Sequence, residues 1–343
     1  MKKFIICLGL GERQLNLIKK VDKNYYIIGI DMKCSKIARK SIDFFFKGSL
    51  YDLNDIKKIA KIIKYKNYNI NFILYRSSGP TILSANFLEI FFNINRINKS
   101  LCKSIYSKSY FYKYLKSKKI LGLKSNSFKQ LKNIKKLEYL VIKPDAPIYG
   151  KKNIYLMDKK KNNIYFKKCK KESHNNKVNL SSFYEGDDVS SFYLANNNSN
   201  KIKLISHFQE FNYFKKNIIQ SIGVCSPPIY KKTKFLKKKE ILDKSIIKTF
   251  KDFYGIISIS SKITKKNIIL PYEINVGLSG EKFADHIFPY SFKNRSLYKI
   301  ELDMCLYKKN TNLTQNKMFI GFLKNKKIIS NNIFLKKLNN KDI

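Results

Sequence analysis

Residues 271–281 read Pro-Tyr-Glu-Ile-Asn-Val-Gly-Leu-Ser-Gly-Glu, a carboxylate and an amide followed by a glycine-containing run. Glu273 and Asn275 lie two positions apart on a predicted strand, so their side chains point to the same face. Both offer hard oxygen ligands, which suit a Mg²⁺ ion that bridges the phosphates of a nucleotide. The glycines that follow let the backbone approach a ligand closely. The plainer alternative is a strand that ends in a glycine-rich turn, with Glu273 solvated.

A second informative stretch lies upstream, where residues 139–144 read Tyr-Leu-Val-Ile-Lys-Pro. Lys143 ends an apolar strand and precedes a loop that contains Gly150 and Lys151. A lysine placed there can meet a phosphate as a point charge, and the loop could fold over a nucleotide. Because lysine is abundant throughout this chain, an ordinary surface charge is the alternative for each of these lysines.

A third stretch, residues 178–191, reads Val-Asn-Leu-Ser-Ser-Phe-Tyr-Glu-Gly-Asp-Asp-Val-Ser-Ser. The pattern predicts a strand, an acidic turn with a glycine, and another strand. Such a segment is consistent with a linker that passes beside an adenine through Phe183 and Tyr184, with Asp188 accepting from a ribose hydroxyl. An ordinary hairpin is the alternative.

The first hundred residues alternate between apolar strands and amphipathic helices, which predicts a twisted parallel sheet. Gly9 and Gly11, with Asp31 about twenty residues later, resemble part of a dinucleotide fingerprint, but its third glycine is missing. The predicted strands are residues 3–8, 25–30 and 70–75, and the predicted helices are residues 13–21, 53–63 and 81–92.

After one more predicted helix at residues 103–118, the sequence pattern of the chain changes. Short strands separated by Asn- and Lys-rich loops follow, and a polar hairpin tip is expected at residues 196–200. These strands are predicted at residues 139–143, 153–157, 203–208, 256–259 and 268–274, with apolar stretches at 318–323 and 328–335.

The net charge of +46 comes from 70 Lys and Arg against 24 Asp and Glu. The basic residues are nearly all lysine and are spread along the chain, as an AT-rich coding sequence would produce, whereas nucleic-acid readers favour arginine. Six scattered cysteines and three histidines give no zinc or disulfide pattern. No apolar run is long enough to span a bilayer. We therefore expect a cytoplasmic protein with neither a membrane nor a specific nucleic acid as partner; charge-driven RNA binding is an alternative hypothesis.

The order of these segments resembles the ATP-grasp superfamily over residues 1 to about 290. The strand ending in Lys143-Pro144 looks like the family's hydrophobic-Lys-Pro strand, and "SSFYEGDDVSSF" is similar to its adenine linker. "PYEINVGLSGE" is similar to its metal-binding strand. "YSKSYFYKYLKSKKI" resembles the helix whose early basic residue contacts phosphate, a position that Lys108 matches best. "RSSGPTILSANFLEIF" resembles the end of the preceding domain in carboxylate–amine ligases.

This resemblance implies an α/β and α+β architecture, in which an N-terminal Rossmann-like parallel sheet precedes an ATP-grasp fold of two subdomains. The expected divisions are 1–100, 101–300 (subdomains about 101–180 and 181–300) and a small appendage at 301–343. It implies a ligase that uses ATP and Mg²⁺ to join a small-molecule carboxylate to an amine or a thiol through an acyl-phosphate. A homodimer is one assembly that such a chain could form.

The resemblance also implies roles for individual residues. Lys108 and Lys143 would contact the phosphates, and Glu273 and Asn275 would bind Mg²⁺. Arg76 is the catalytic candidate, because arginine is scarce here and this one sits in a Ser-Gly turn after a strand.

Three departures from the family pattern bear on activity. Ser258 or Ser260 stands where a second acidic metal ligand is expected. Gly277 replaces the arginine that follows the Glu-Ile-Asn triplet, and Ser181-Ser182 replaces the acidic pair of the linker. A non-catalytic nucleotide-binding or regulatory protein with a lapsed site is therefore an alternative hypothesis, although Glu281 or Asp285 could supply a carboxylate.

Overall fold

In the computed structural model the described residues form two β-sheets, one of four strands and one of eleven, with helices packed against them. The structure describes residues 2–75, 79–123, 125–126, 140–148, 154–156, 162–215, 218–229, 233–277, 288–292, 296–307, 319–324 and 327–329.

The smaller sheet is parallel, in the order β3-β2-β1-β4, which confirms the parallel sheet predicted from the alternating pattern. Sequence reasoning missed β3, because its four residues are too few to show a period and it lies at the sheet edge. The strands are β1 (Lys3–Leu8), β2 (Tyr25–Asp31), β3 (Phe44–Lys47) and β4 (Asn69–Tyr75). The helices among and after them are α1 (Glu12–Ile18), α2 (Lys36–Arg39), α3 (Leu53–Tyr65) and α4 (Thr81–Phe91).

The single helix predicted over residues 103–118 is wrong, because two helices occupy this region. They are α5 (Lys99–Tyr106) and α6 (Lys108–Ser117). Ser107 lies between them in an extended conformation, and its hydroxyl accepts from the backbone N–H of Tyr110 as the N-cap of α6. Capping by a serine hydroxyl competes with helix continuation, so the chain bends here.

The larger sheet runs in the order β13-β12-β9-β10-β11-β7-β6-β8-β5, and β14 joins it through β11. Its strands are β5 (Ser125–Asn126), β6 (Leu140–Pro144), β7 (Tyr155–Leu156), β8 (Val178–Ser182), β9 (Gly186–Asn196), β10 (Lys201–Lys215), β11 (Ile218–Ser226), β12 (Tyr254–Thr264), β13 (Ile269–Val276), β14 (Phe319–Lys324) and β15 (Lys327–Ile329). The predicted polar tip is confirmed as a 3₁₀ turn between β9 and β10. Both β10 and β12 exceed their predicted lengths, since polar residues interrupt their apolar runs.

The helices that accompany this sheet in the described ranges are α7 (Asn162–Lys171), α8 (Thr233–Lys248), α9 (Phe288–Ser291) and α10 (Leu297–Tyr307). A small core around Ile142, Tyr155 and Cys169 lies between α7 and the strands β6 to β8. Two larger clusters join the parallel sheet to the β9–β12–β13 part of the large sheet. The expected boundary at residue 300 falls inside α10, and β14 pairs within the large sheet. The division into three units stays a prediction.

A buried polar cluster lies between α8 and one face of the large sheet. Lys239 donates to Asp243 at 2.6 Å and to the carbonyl oxygen of Ile259, while the hydroxyl of Tyr193 donates to Asp243. Both members of the ion pair are fully buried. Burial lowers the pKa of Lys239 and raises that of Asp243, and the attraction between the two charges opposes both shifts. Each charged group is therefore stabilised inside the core by the opposite charge of its partner.

Loss of one partner should destabilise the fold strongly. We expect Asp243→Ala to lower the free energy of unfolding by about 3–5 kcal/mol, because the Lys239 charge stays buried. The paired change Lys239→Met with Asp243→Leu should recover most of this loss. Urea titrations of the three proteins measure the difference. Asp303→Ala is the matched control, since its ion pair with Lys299 is exposed and worth less than about 1 kcal/mol.

His207 lies next to this cluster and should make stability fall in acid. Burial and then the Lys239 charge lower its pKa to about 3, and its Nδ1 atom is 2.7 Å from the hydroxyl of Ser191. A histidine that is neutral when folded stabilises the protein fully above its unfolded pKa of about 6.5. That contribution is lost as the pH falls toward the folded value. Between pH 6.5 and 4.5, wild type should lose about 1.4 kcal/mol more per pH unit than His207→Gln. Parallel curves would contradict this.

Candidate functional site

Helix α6 brings together residues from distant parts of the chain. Lys108 begins the helix and Tyr112 lies one turn later, so both side chains lie on one face. The Nζ atom of Lys108 lies 3.1 Å from Oε1 of Glu273 on β13. The Nζ atom of Lys143 on β6 lies 2.9 Å from the hydroxyl oxygen of Tyr112. One helix face therefore contacts both the Glu-Ile-Asn strand and the Lys-Pro strand.

Lys143 is not an ordinary surface lysine, because it is only 6% exposed. Its Nζ atom lies 5.6 Å from the ring centres of both Tyr112 and Tyr272. Cation–π attraction and the hydrogen bond from the ammonium to Tyr112 hold the charge in place. Burial raises the pKa of Tyr112 above its ordinary value, against the lowering effect of Lys108. The tyrosine thus stays a neutral hydroxyl at any ordinary pH, and sequence reasoning gave no signal for it.

Hydroxyl groups stand beside Glu273 where the family pattern leads one to expect a second carboxylate. Across the β12–β13 ladder Ser260 is opposite Glu273, and Ser258 is opposite Asn275. The hydroxyl oxygen of Ser260 lies 2.7 Å from that of Ser190 on β9. Within the described ranges no three His, Cys, Asp or Glu side chains converge as a metal-binding group. The donor set is one carboxylate with amide and hydroxyl oxygens, which fits Mg²⁺ if phosphate oxygens supply further ligands.

The predicted linker connects β8 to β9. Phe183 and Tyr184 are half-buried there, and Glu185 forms an ion pair with Lys265. Ser181 and Ser182 are buried in the ladder between β8 and β6, a place where an acidic pair would be costly.

The carboxylate of Asp188 is already engaged by neighbouring strands. Its Oδ2 atom accepts from Lys262 at 2.7 Å and from the amide of Asn212 at 2.6 Å. Glu210, which is buried, lies directly opposite Asp188 in the β9–β10 ladder and thus on the same face. The side chains of His207 and Gln209, at the alternate positions of β10, lie on the opposite face of the sheet, which α8 covers. Sequence reasoning missed Lys262 and Asn212, since ladder partners depend on register.

Gly277 directly follows β13 and has a φ of +70°, a conformation that favours glycine. A Cβ atom there would lie 3.2 Å from Oε1 of Glu301 on α10 and 3.3 Å from the carbonyl oxygen of Tyr75 on β4. The ends of β13 and β4 therefore meet α10 closely, and this contact leaves little room at position 277 for a side chain such as the arginine of the family pattern. Arg76, Gly150, Lys151, Glu281 and Asp285 lie outside the described residues.

The fold matches solved structures along almost its whole length. An N5-carboxyaminoimidazole synthetase from Staphylococcus aureus, complexed with ADP, superimposes with a TM-score of 0.69 at 16% identity, over 94% of this chain and 82% of that one. An L-amino acid ligase from Bacillus licheniformis gives a TM-score of 0.75 at 11% identity, over 94% and 79% of the two chains. The biotin carboxylase domain of the Hydrogenobacter thermophilus 2-oxoglutarate carboxylase, a dimer in complex with MgADP, ADP and bicarbonate, gives 0.71 at 11% identity, over 94% and 74%.

These matches confirm the fold class: the chain has the ATP-grasp fold, with a parallel sheet ahead of the two-part ATP-grasp region. No family model matches the sequence. No curated protein matches it significantly either. At 11–16% identity the likeness establishes the architecture, whereas the chemistry depends on the residues of the site.

No helix in the described part of the chain is both long enough and apolar enough to cross a membrane.

Gly186 starts β9 at the end of the linker, and we expect substitution there to destabilise the protein. Its φ is +143°, and a Cβ atom would lie 2.0 Å from the carbonyl oxygen of Ile263. Gly186→Ala should therefore cost about 2 kcal/mol or more of unfolding free energy. Gly11→Ala is the matched control, because a Cβ atom there meets nothing within 4 Å and should cost less than about 1 kcal/mol. Equal losses in a denaturant titration would contradict the close approach.

Proposed function

We propose that this protein is an ATP-dependent ligase that joins a small-molecule carboxylate to an amine, or to a thiol, through an acyl-phosphate. The observation that carries the proposal is the convergence of Lys108, Lys143 and Glu273 on one face of α6, on a fold whose solved relatives include ADP complexes. Two fixed ammonium groups and one carboxylate are the charges that a nucleotide with its metal ion requires.

In this proposal the lysines bind the phosphates and the linker flanks the base. Lys108 is 14% exposed and Lys143 is held between two tyrosine rings, so both ammonium groups are oriented before ATP arrives. Pre-ordered charges lose little conformational entropy on binding. Phe183 and Tyr184 would contact the adenine. Asp188 would reach the ribose hydroxyls by sharing its Lys262 and Asn212 contacts with them.

Glu273 and Asn275 would hold Mg²⁺, with Ser260 as a further oxygen donor. When bound there, the metal ion would neutralise the charge that develops on the phosphates. A substrate carboxylate oxygen attacks the γ-phosphorus, and the bond to the β–γ bridging oxygen breaks, releasing ADP. The amine then attacks the acyl carbon and phosphate leaves. Protein groups act here mainly by positioning and by charge neutralisation. Arg76, Gly150 and Lys151 are assigned to this site from the sequence resemblance.

The alternative is a nucleotide-binding or regulatory protein without turnover on the same fold. The observation that favours it is the Ser260 hydroxyl opposite Glu273, where a second carboxylate would hold the metal ion more strongly. We further propose a cytoplasmic location and small-molecule partners. A dimer like that of the biotin carboxylase domain is an assembly to test by light scattering.

The test is release of ADP and phosphate from MgATP across a panel of carboxylates and amines. We expect substrate-dependent ADP release, and with hydroxylamine in place of the amine we expect a hydroxamate, which reports the acyl-phosphate. Glu273→Gln keeps the shape of the side chain but removes the charge. It should lower the rate by at least about a hundredfold, since metal and phosphate positions both depend on that charge.

Asp303→Asn is the control, because it makes the same loss of one carboxylate charge at an exposed ion pair on α10. Its rate should equal that of wild type. ATP binding without turnover on any panel member would favour the non-catalytic alternative. Absence of ATP binding in calorimetry would overturn the proposal.

A further inference from the structure

Asp145 follows Lys143-Pro144 and is buried, with 1% of its surface exposed. Its side chain accepts three hydrogen bonds of 2.7 Å, from the hydroxyl of Ser107, the backbone N–H of Ser109 and the amide of Asn175. Its own carbonyl oxygen accepts from the backbone N–H of Lys108. No sequence motif pointed to this residue.

These bonds attach the start of α6 to the end of β6. The first two N–H groups of α6, those of Lys108 and Ser109, both donate to Asp145. The next N–H, that of Tyr110, donates to the Ser107 hydroxyl. A carboxylate at a helix N-terminus also interacts favourably with the helix dipole. The N-terminus of α6 is therefore filled by a protein anion, and a phosphate near it must be bound by the lysine side chains.

We infer that Asp145 is a positioning residue that sets Lys108 and Lys143 at a fixed spacing for the phosphates of ATP. This inference rests on the proposed function. Lys143 lies on β6, two residues before Asp145, while Lys108 is the first residue of α6, whose first two N–H groups donate to Asp145. One buried carboxylate thus fixes the backbones that carry both ammonium groups, whereas Tyr112 and Glu273 fix their ends.

The electrostatics of Asp145 support this role. Burial alone would raise its pKa, but the hydrogen bonds from Ser107, Ser109 and Asn175 outweigh burial, and the pKa lies below its ordinary value. The group is therefore a permanent anion in the folded protein at neutral pH. A carboxamide has only one accepting oxygen, so in Asp145→Asn the nitrogen, which is a donor, must face either the backbone N–H of Ser109 or the Ser107 hydroxyl and the Asn175 amide.

The experiment measures binding of MgATP, MgADP and adenosine to the full chain by calorimetry, with the melting temperature recorded for each variant. In Asp145→Asn we expect MgATP and MgADP to bind at least about tenfold more weakly, because the two lysines are misplaced. Adenosine, which has no phosphate, should bind as it does to wild type. If Asp145 contributed only to stability, the substitution would weaken the binding of all three ligands equally or of none of them.

Asp243→Asn is the matched control, since it makes the same exchange at a buried carboxylate under α8 and should not separate ATP from adenosine. Asn175→Ala is the second variant if Asp145→Asn does not fold; it removes one donor and should weaken MgATP binding in the same direction. If wild type binds no ATP, the proposed function fails. If wild type binds ATP and these Asp145 and Asn175 variants bind it equally well, the positioning role is overturned.

Discussion

Strand β9 constrains the rest of the larger sheet, because β10 and β12 pair with it along nearly its whole length. Side chains of a strand alternate between its two faces, so this double pairing settles both faces of three strands at once. Tyr193 and Ser191 point toward α8, whereas Ser190 and Asp188 point to the opposite face. A shift of the register by one residue would exchange these two sets and place buried polar groups in the wrong layer.

The two faces of β9 differ in the groups that they bury. The face under α8 holds the fully buried Lys239–Asp243 pair, whose attraction offsets part of the cost of burying both charges. The opposite face is polar near the start of β9, where Ser190 meets Ser260 and Lys262 meets Asp188. Farther along β9 that same face becomes apolar, with Phe192 and Leu194 in the core that includes α10. The candidate site thus lies where the sheet changes from apolar to polar.

Helix α6 completes the site because it spans the parts of the fold that carry its charges. Contact between Lys108 and Glu273 joins residues 165 positions apart in sequence. Asp145 connects α6 to β6 and to Asn175, which follows α7. These contacts link the N-terminus of α6 to the small core around Ile142. The backbones that carry Lys108 and Lys143 are therefore linked through Asp145 to the packing of this core.

Local sequence patterns predicted the parallel sheet, the polar turn between β9 and β10, and the order of the Lys-Pro, linker and Glu-Ile-Asn segments. These follow from local periodicity and from motif spacing, which are properties of neighbouring residues. Sequence reasoning missed the break at Ser107, the short edge strand β3, and the contacts of Tyr112, Asp145 and Lys262. Such features depend on register and on the path of the chain between remote segments. The burial of Lys143 beside two tyrosine rings and the contact of Lys108 with Glu273 could not be predicted from the sequence, because long-range packing brings these side chains together.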